Sequence, residues 1–126
     1  MEEQGALIFA HIAMAVGALL PALIMQLIDM DKPNKYMGYR TPWSLKSELT
    51  WRYSNKTCAL YLLWSGLITV FIQVISYFLF GAFTSILITT VTLIFGVIFT
   101  MGITEIKLRK KFKKDGSFKN EFDDLD

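Results

Sequence analysis

Two long apolar runs separated by one polar stretch set the pattern of this chain. From Gly5 to Ile28 (GALIFAHIAMAVGALLPALIMQLI) no charged residue occurs. As a helix rising 1.5 Å per residue, that run reaches about 36 Å, enough to cross a hydrocarbon core of about 30 Å. From Thr57 to Thr104 the chain is again uncharged. One helix of that length would measure about 72 Å, so the run must fold back on itself. Gly81, in YFLFGAFTS, lies near the midpoint, where glycine permits a tight turn. The pattern predicts an all-α integral membrane protein forming one domain over residues 1–126. Its three transmembrane helices lie at about 5–28, 57–80 and 83–104, the last two as an antiparallel hairpin.

The polar stretch, residues 37–56, reads MGYRTPWSLKSELTWRYSNK. Thr41 suits an N-cap and Pro42 the first helical position, where its missing N–H is no loss. The spacing predicts an amphipathic interfacial helix over about 42–54 that runs into the second span. On it Ser44, Glu48, Trp51, Asn55 and Cys58 share one face. A mixed polar and aromatic face suits the membrane interface, with the indole body buried and its N–H wet. The ordinary reading of this cluster is an anchor; the sharper one is a docking site.

Charge supplies the direction. The loop and the foot of the second span hold Lys32, Lys35, Arg40, Lys46, Arg52 and Lys56. The tail holds Lys107, Arg109, Lys110, Lys111, Lys113, Lys114 and Lys119. Together these are all 13 basic residues. The positive-inside rule then puts the loop and the C-terminus in the cytoplasm and the N-terminus outside. The run Lys107–Lys114 predicts a juxtamembrane tail drawn to anionic lipid, with Asp115-Gly116-Ser117 as a turn and Glu121–Asp126 as a disordered acidic end.

Small residues predict the packing. The inward stripes are Ala6, Ala10, Ala13 and Gly17 on the first helix, Thr69, Gln73 and Ser76 on the second, and Ser85, Thr89, Thr92, Gly96 and Thr100 on the third. His11, Gln26 and Gln73 are expected to bond neighbouring helices, Cys58 to pack inertly, and Pro21 to kink the first helix. Homo-oligomerisation is left open.

Composition narrows the function. The chain is 53% hydrophobic with a mean hydropathy of +0.41, in blocks rather than spread out. A lone cysteine excludes an internal disulfide, and 13 basic against 11 acidic residues argue against direct nucleic-acid binding. The acidic start Met1-Glu2-Glu3 and the length of the first run argue against a cleaved signal peptide. No catalytic triad, paired carboxylates, phosphate loop or metal-ligand spacing appears, so neither enzymatic activity, a metal nor a cofactor is expected.

Gly38, Arg40, Thr41, Ser44, Trp51 and Asn55 give G-x-R-T-x-x-S-x(6)-W-x-x-x-N, followed by two hydrophobic spans. This resembles the SdpI family of small bacterial membrane proteins, from about Met37 to the end of the third helix. Ser47 stands where that family more often has Asn. The resemblance implies a multi-pass protein of the bacterial cytoplasmic membrane. It further implies immunity against a secreted, membrane-active toxin peptide and/or signalling by sequestering a cytoplasmic repressor. The expected partner or ligand motif is Gly38, Tyr39, Arg40, Thr41, Ser44, Trp51 and Asn55. Membrane lipids are the other expected partners. Two rival readings remain: an accessory subunit of a membrane complex, and, ranked last, a small lipid or solute carrier.

Overall fold

The computed structural model describes residues 1–28 and 31–119. Three long helices follow one another: α1 (Glu2–Leu27), α2 (Glu48–Phe80) and α3 (Ala82–Lys111). All three are long and apolar enough to cross a membrane. The outward surface agrees: Phe71, Phe78, Phe83 and Phe95 stand well exposed, a surface matched by lipid tails rather than water.

The helices are longer than the apolar runs alone predict. α2 has 33 residues, about 50 Å, and α3 has 30, about 45 Å. With a hydrocarbon core of about 30 Å, both outrun the membrane at the end opposite Gly81. There the end of α1, the loop, the start of α2 and the end of α3 gather. Gly81 alone joins α2 to α3, at φ 87°, a left-handed conformation that favours glycine.

Weakly polar residues hold the hairpin. Thr69, Gln73 and Ser76 are buried against Ser85, Thr89 and Thr100, as their spacing predicts, while Thr92 and Gly96 are half-buried. Ser85 Oγ donates to the Gln73 carbonyl at 3.0 Å and lies 2.9 Å from Ser76 Oγ. Thr69, Thr89, Thr92 and Thr104 donate to the carbonyl one turn back, leaving few hydroxyl groups unsatisfied in lipid.

α1 corrects the expectation. Ala6, Ala13 and Gly17 are exposed and Ala10 is half-buried; Ala18, Ala22 and Met25 make the buried stripe. The reason lies on α2. A Cβ at Gly66 would come 2.5 Å from the Ala18 carbonyl oxygen, so only glycine admits this approach. That contact turns α1 about one residue from the predicted face. The helix continues through Pro21.

His11 bonds its neighbours as expected. Its Nε2 lies 3.1 Å from the Ala82 carbonyl and its Nδ1 2.9 Å from Gln73 Nε2. A carbonyl needs a donor and an amide nitrogen an acceptor, so the neutral ring with its proton on Nε2 satisfies both. Gln26, expected to do likewise, is exposed near the end of α1.

Candidate functional site

The polar stretch is not a continuous helix. Thr41 caps a single turn: its Oγ1 accepts the Ser44 N–H at 3.2 Å, and its carbonyl accepts the Leu45 N–H at 3.1 Å. The chain leaves helical geometry at Ser47, where φ is −154° and ψ 168°. Ser47 then caps α2. Its Oγ accepts the Thr50 N–H at 3.1 Å, and Thr50 Oγ1 accepts the Ser47 N–H at 2.9 Å. This reciprocal box satisfies two otherwise orphaned donors and starts α2 at Glu48. The predicted helix over 42–54 is therefore one turn, a break, and the first turns of α2.

Asn55 fastens the loop to α2. Its Oδ1 accepts the Tyr39 N–H at 2.6 Å, and its Nδ2 donates to the carbonyls of Tyr39, at 3.3 Å, and Trp51, at 2.9 Å. One side-chain amide thus pairs both backbone groups of Tyr39. Gly38 lets the loop come so close: its φ is 108°, and a Cβ there would lie 2.6 Å from Asn55 Oδ1 and 3.0 Å from the Trp51 ring. Ser44, fully buried, donates from Oγ to the Tyr39 carbonyl at 3.1 Å and accepts the Thr41 N–H at 2.8 Å. Trp51 is also fully buried, and its indole nitrogen has no hydrogen-bond partner among the described residues. It is a packing element here, not an interface ring with a wet N–H.

One residue outside the predicted set completes the site. The Tyr39 hydroxyl donates to Glu105 Oε2 at 2.6 Å, and Thr41 Oγ1 donates to the same oxygen at 3.0 Å. Arg109 Nε donates to Glu105 Oε1 at 3.1 Å, while its guanidinium lies 4.8 Å from the Trp43 ring centroid. Loop and α3 are thereby tied through one carboxylate. Burial, then the hydrogen bond to Glu105 and its negative charge, push the Tyr39 phenol well above the ordinary tyrosine value. A signal for Glu105 existed: it is the one acidic residue between Lys56 and Asp115, at the edge of an apolar run.

Arg40 is the exception within the motif. It is exposed, and among the described residues its guanidinium makes no hydrogen bond or ion pair. Six of the seven motif residues thus build a lock, and the seventh takes no part in its bonds.

The basic run is no free tail. Lys107 and Lys111 lie over the rings of Tyr61 and Tyr53, at 5.1 and 4.8 Å. Beyond α3 the chain turns back as predicted at Asp115-Gly116-Ser117, with the Lys113 N–H on the Ser117 carbonyl at 2.7 Å. The two bonds from Ser117 hold the exposed Asp115 carboxyl below its ordinary range. Phe112 is buried, stacked 4.8 Å from Phe118 and 5.6 Å from Tyr53. Ser47 Oγ donates to the Gly116 carbonyl at 2.8 Å, which docks this hairpin on the start of α2. Lys110, Lys113 and Lys114 remain exposed, and Glu121–Asp126 lie outside the described residues.

Beside the lock a cleft of about 450 Å³ opens between α1 and α3. Gly17, Ala18, Pro21 and Met25 form one wall, Leu93, Val97 and Met101 the other, and Gly38–Thr41 close its polar end. Among the described residues no group of three or more His, Cys, Asp or Glu gathers to hold a metal ion.

The model of the SdpI/YfhL protein family matches residues 31–103, more than half of the chain. No curated protein and no solved structure matches it significantly. The matched segment takes in the loop, α2 and most of α3, and stops just before Glu105. The chain belongs to the SdpI/YfhL family.

Proposed function

We propose that this member of the SdpI/YfhL family gives immunity against a membrane-active toxin peptide and signals by holding a cytoplasmic partner at the membrane. The observation that carries the reading is the lock itself. Tyr39 joins the loop to α2 through Asn55 and to α3 through Glu105. A displacement of the membrane helices by a peptide would be passed directly to the loop that bears Arg40. The basic residues of loop and tail, all at one end of the bundle, favour a cytoplasmic location for that loop. The protein would sit in the bacterial cytoplasmic membrane with its N-terminus outside.

The test is survival of a toxin-sensitive host expressing wild type, Arg40→Ala or Trp51→Ala. Protection by wild type is expected. Arg40→Ala should keep the protein in the membrane but lose recruitment of a cytoplasmic partner, read by membrane co-fractionation. Trp51→Ala should lose both. Unchanged sensitivity to a panel of membrane-active peptides would remove immunity from the proposal.

A second reading, an accessory subunit of a membrane complex, draws on the outer face of the α2–α3 hairpin. There a cleft of about 590 Å³ is lined by Trp64, Ser65, Thr69, Thr92, Phe95 and Gly96. Small and weakly polar positions between aromatic rims accept a foreign helix closely. Cross-linking in native membranes separates the two: recovery as monomer alone removes the subunit reading.

A further inference from the structure

The cleft between α1 and α3 combines features that the lock does not use. Its long walls, from Gly17 to Met25 and from Leu93 to Met101, each run about 12 Å along a helix. Its helical lining is apolar apart from Ser65, and Arg40 and Thr41 line the mouth at the loop end. Arg40 is exposed there without a partner among the described residues.

Shape suggests the occupant. A cleft of about 450 Å³ running about 12 Å along its helices has room for an extended acyl chain. Charge selects its head. A guanidinium at the mouth of an apolar slot matches a phosphate, which its planar fork binds through two parallel hydrogen bonds.

We infer that this cleft is a binding site for an anionic phospholipid, one acyl chain lying between α1 and α3 and the phosphate resting on Arg40. The site holds whether or not the chain protects against a toxin. A bound chain would lie between α1 and α3, the least closely packed pair of helices, and would stand against Tyr39 and Thr41, two groups of the lock.

The test uses the full chain in nanodiscs of equimolar phosphatidylglycerol and phosphatidylcholine with matched acyl chains, read by native mass spectrometry of retained lipid. Wild type should keep phosphatidylglycerol over phosphatidylcholine by about fivefold, the attraction one interfacial cation supplies. Arg40→Gln should lower that preference severalfold while keeping a lipid bound. Gly17→Leu should lower retention of both lipids, because a Cβ there meets no atom within 4 Å and the longer side chain grows into the cleft. Gly5→Leu, equally open but outside the cleft, should behave as wild type. Circular dichroism of each variant checks folding. Equal retention of the two lipids by wild type, or wild-type retention in both Arg40→Gln and Gly17→Leu, overturns the inference. So does release as a lipid-free dimer, which would make a second copy the occupant.

Discussion

The phenol of Tyr39 donates to Glu105 across 2.6 Å, joining residues 66 positions apart in the chain. This bond makes the polar loop part of the helical bundle. A hydrogen bond to a charged group contributes about 1.5–3 kcal/mol, more than a neutral one. Tyr39→Phe should therefore lower stability by about that amount, and Glu105→Leu by more, since it strands Tyr39, Thr41 and Arg109 together. Arg40→Ala should stay within about 0.5 kcal/mol of wild type. Thermal unfolding in detergent ranks the three.

Gly38 should tolerate no side chain. Gly38→Ala places a Cβ against Asn55 and Trp51 at a φ of 108°. Both the clash and the left-handed backbone count against it, at a cost of about 1–3 kcal/mol. Faster protease cleavage between Met37 and Ser47 would report the loop coming loose from Asn55.

Ser47 should be replaceable by Asn but not by Ala. Both Ser and Asn cap helices well, and loss of a cap costs about 1 kcal/mol. Ser47→Ala should also release the hairpin held through Gly116. Hydrogen exchange is expected to rise at residues 48–50 and 113–118 together in Ser47→Ala; a rise at α2 alone would show that the hairpin docks by its phenylalanines.

Alkali should open the lock late. The Tyr39 phenol is raised above the usual 10.0, so the folded state holds its proton more tightly than the unfolded chain. The stabilisation is complete below about pH 10 and is lost as pH rises above it. Absorbance at 295 nm near pH 10 should rise equally in folded wild type and folded Tyr39→Phe but by one tyrosine more in unfolded wild type than in unfolded Tyr39→Phe, and wild type should lose its stability advantage over Tyr39→Phe as pH climbs.

Topology is directly measurable. Met37 is exposed and Cys58 is buried. In intact cells Met37→Cys should resist a membrane-impermeant thiol reagent and react after the inner membrane is opened. Labelling of intact cells would reverse the orientation and leave Arg40 on the outside.

The lesson of the site lies in its uneven legibility. Asn55, Trp51, Ser44 and Gly38 were recognisable as a spaced motif, yet the spacing did not reveal that Asn55 pairs with Tyr39 rather than with a ligand. Local pattern does not reveal the role of Glu105, since a lone carboxylate beside lysines has an ordinary i,i+4 partner in Arg109. Its other oxygen serves a loop residue, which no local pattern encodes. The break at Ser47 escaped for a related reason. Thr41 and Ser47 both have N-cap chemistry, and the pattern favoured the first; the docked Gly116 carbonyl helps hold the second.

By itself the sequence determined the three spans, the Gly81 turn and the gathering of basic residues at one end, because uncharged length and loop charge are one-dimensional quantities that a bilayer reads directly. Tertiary structure alone decided which face of α1 is buried, which serine starts α2, and which carboxylate receives Tyr39. Those choices depend on how close two backbones can come, as at Gly66 against Ala18, and distance across a bundle is not written in spacing along a chain.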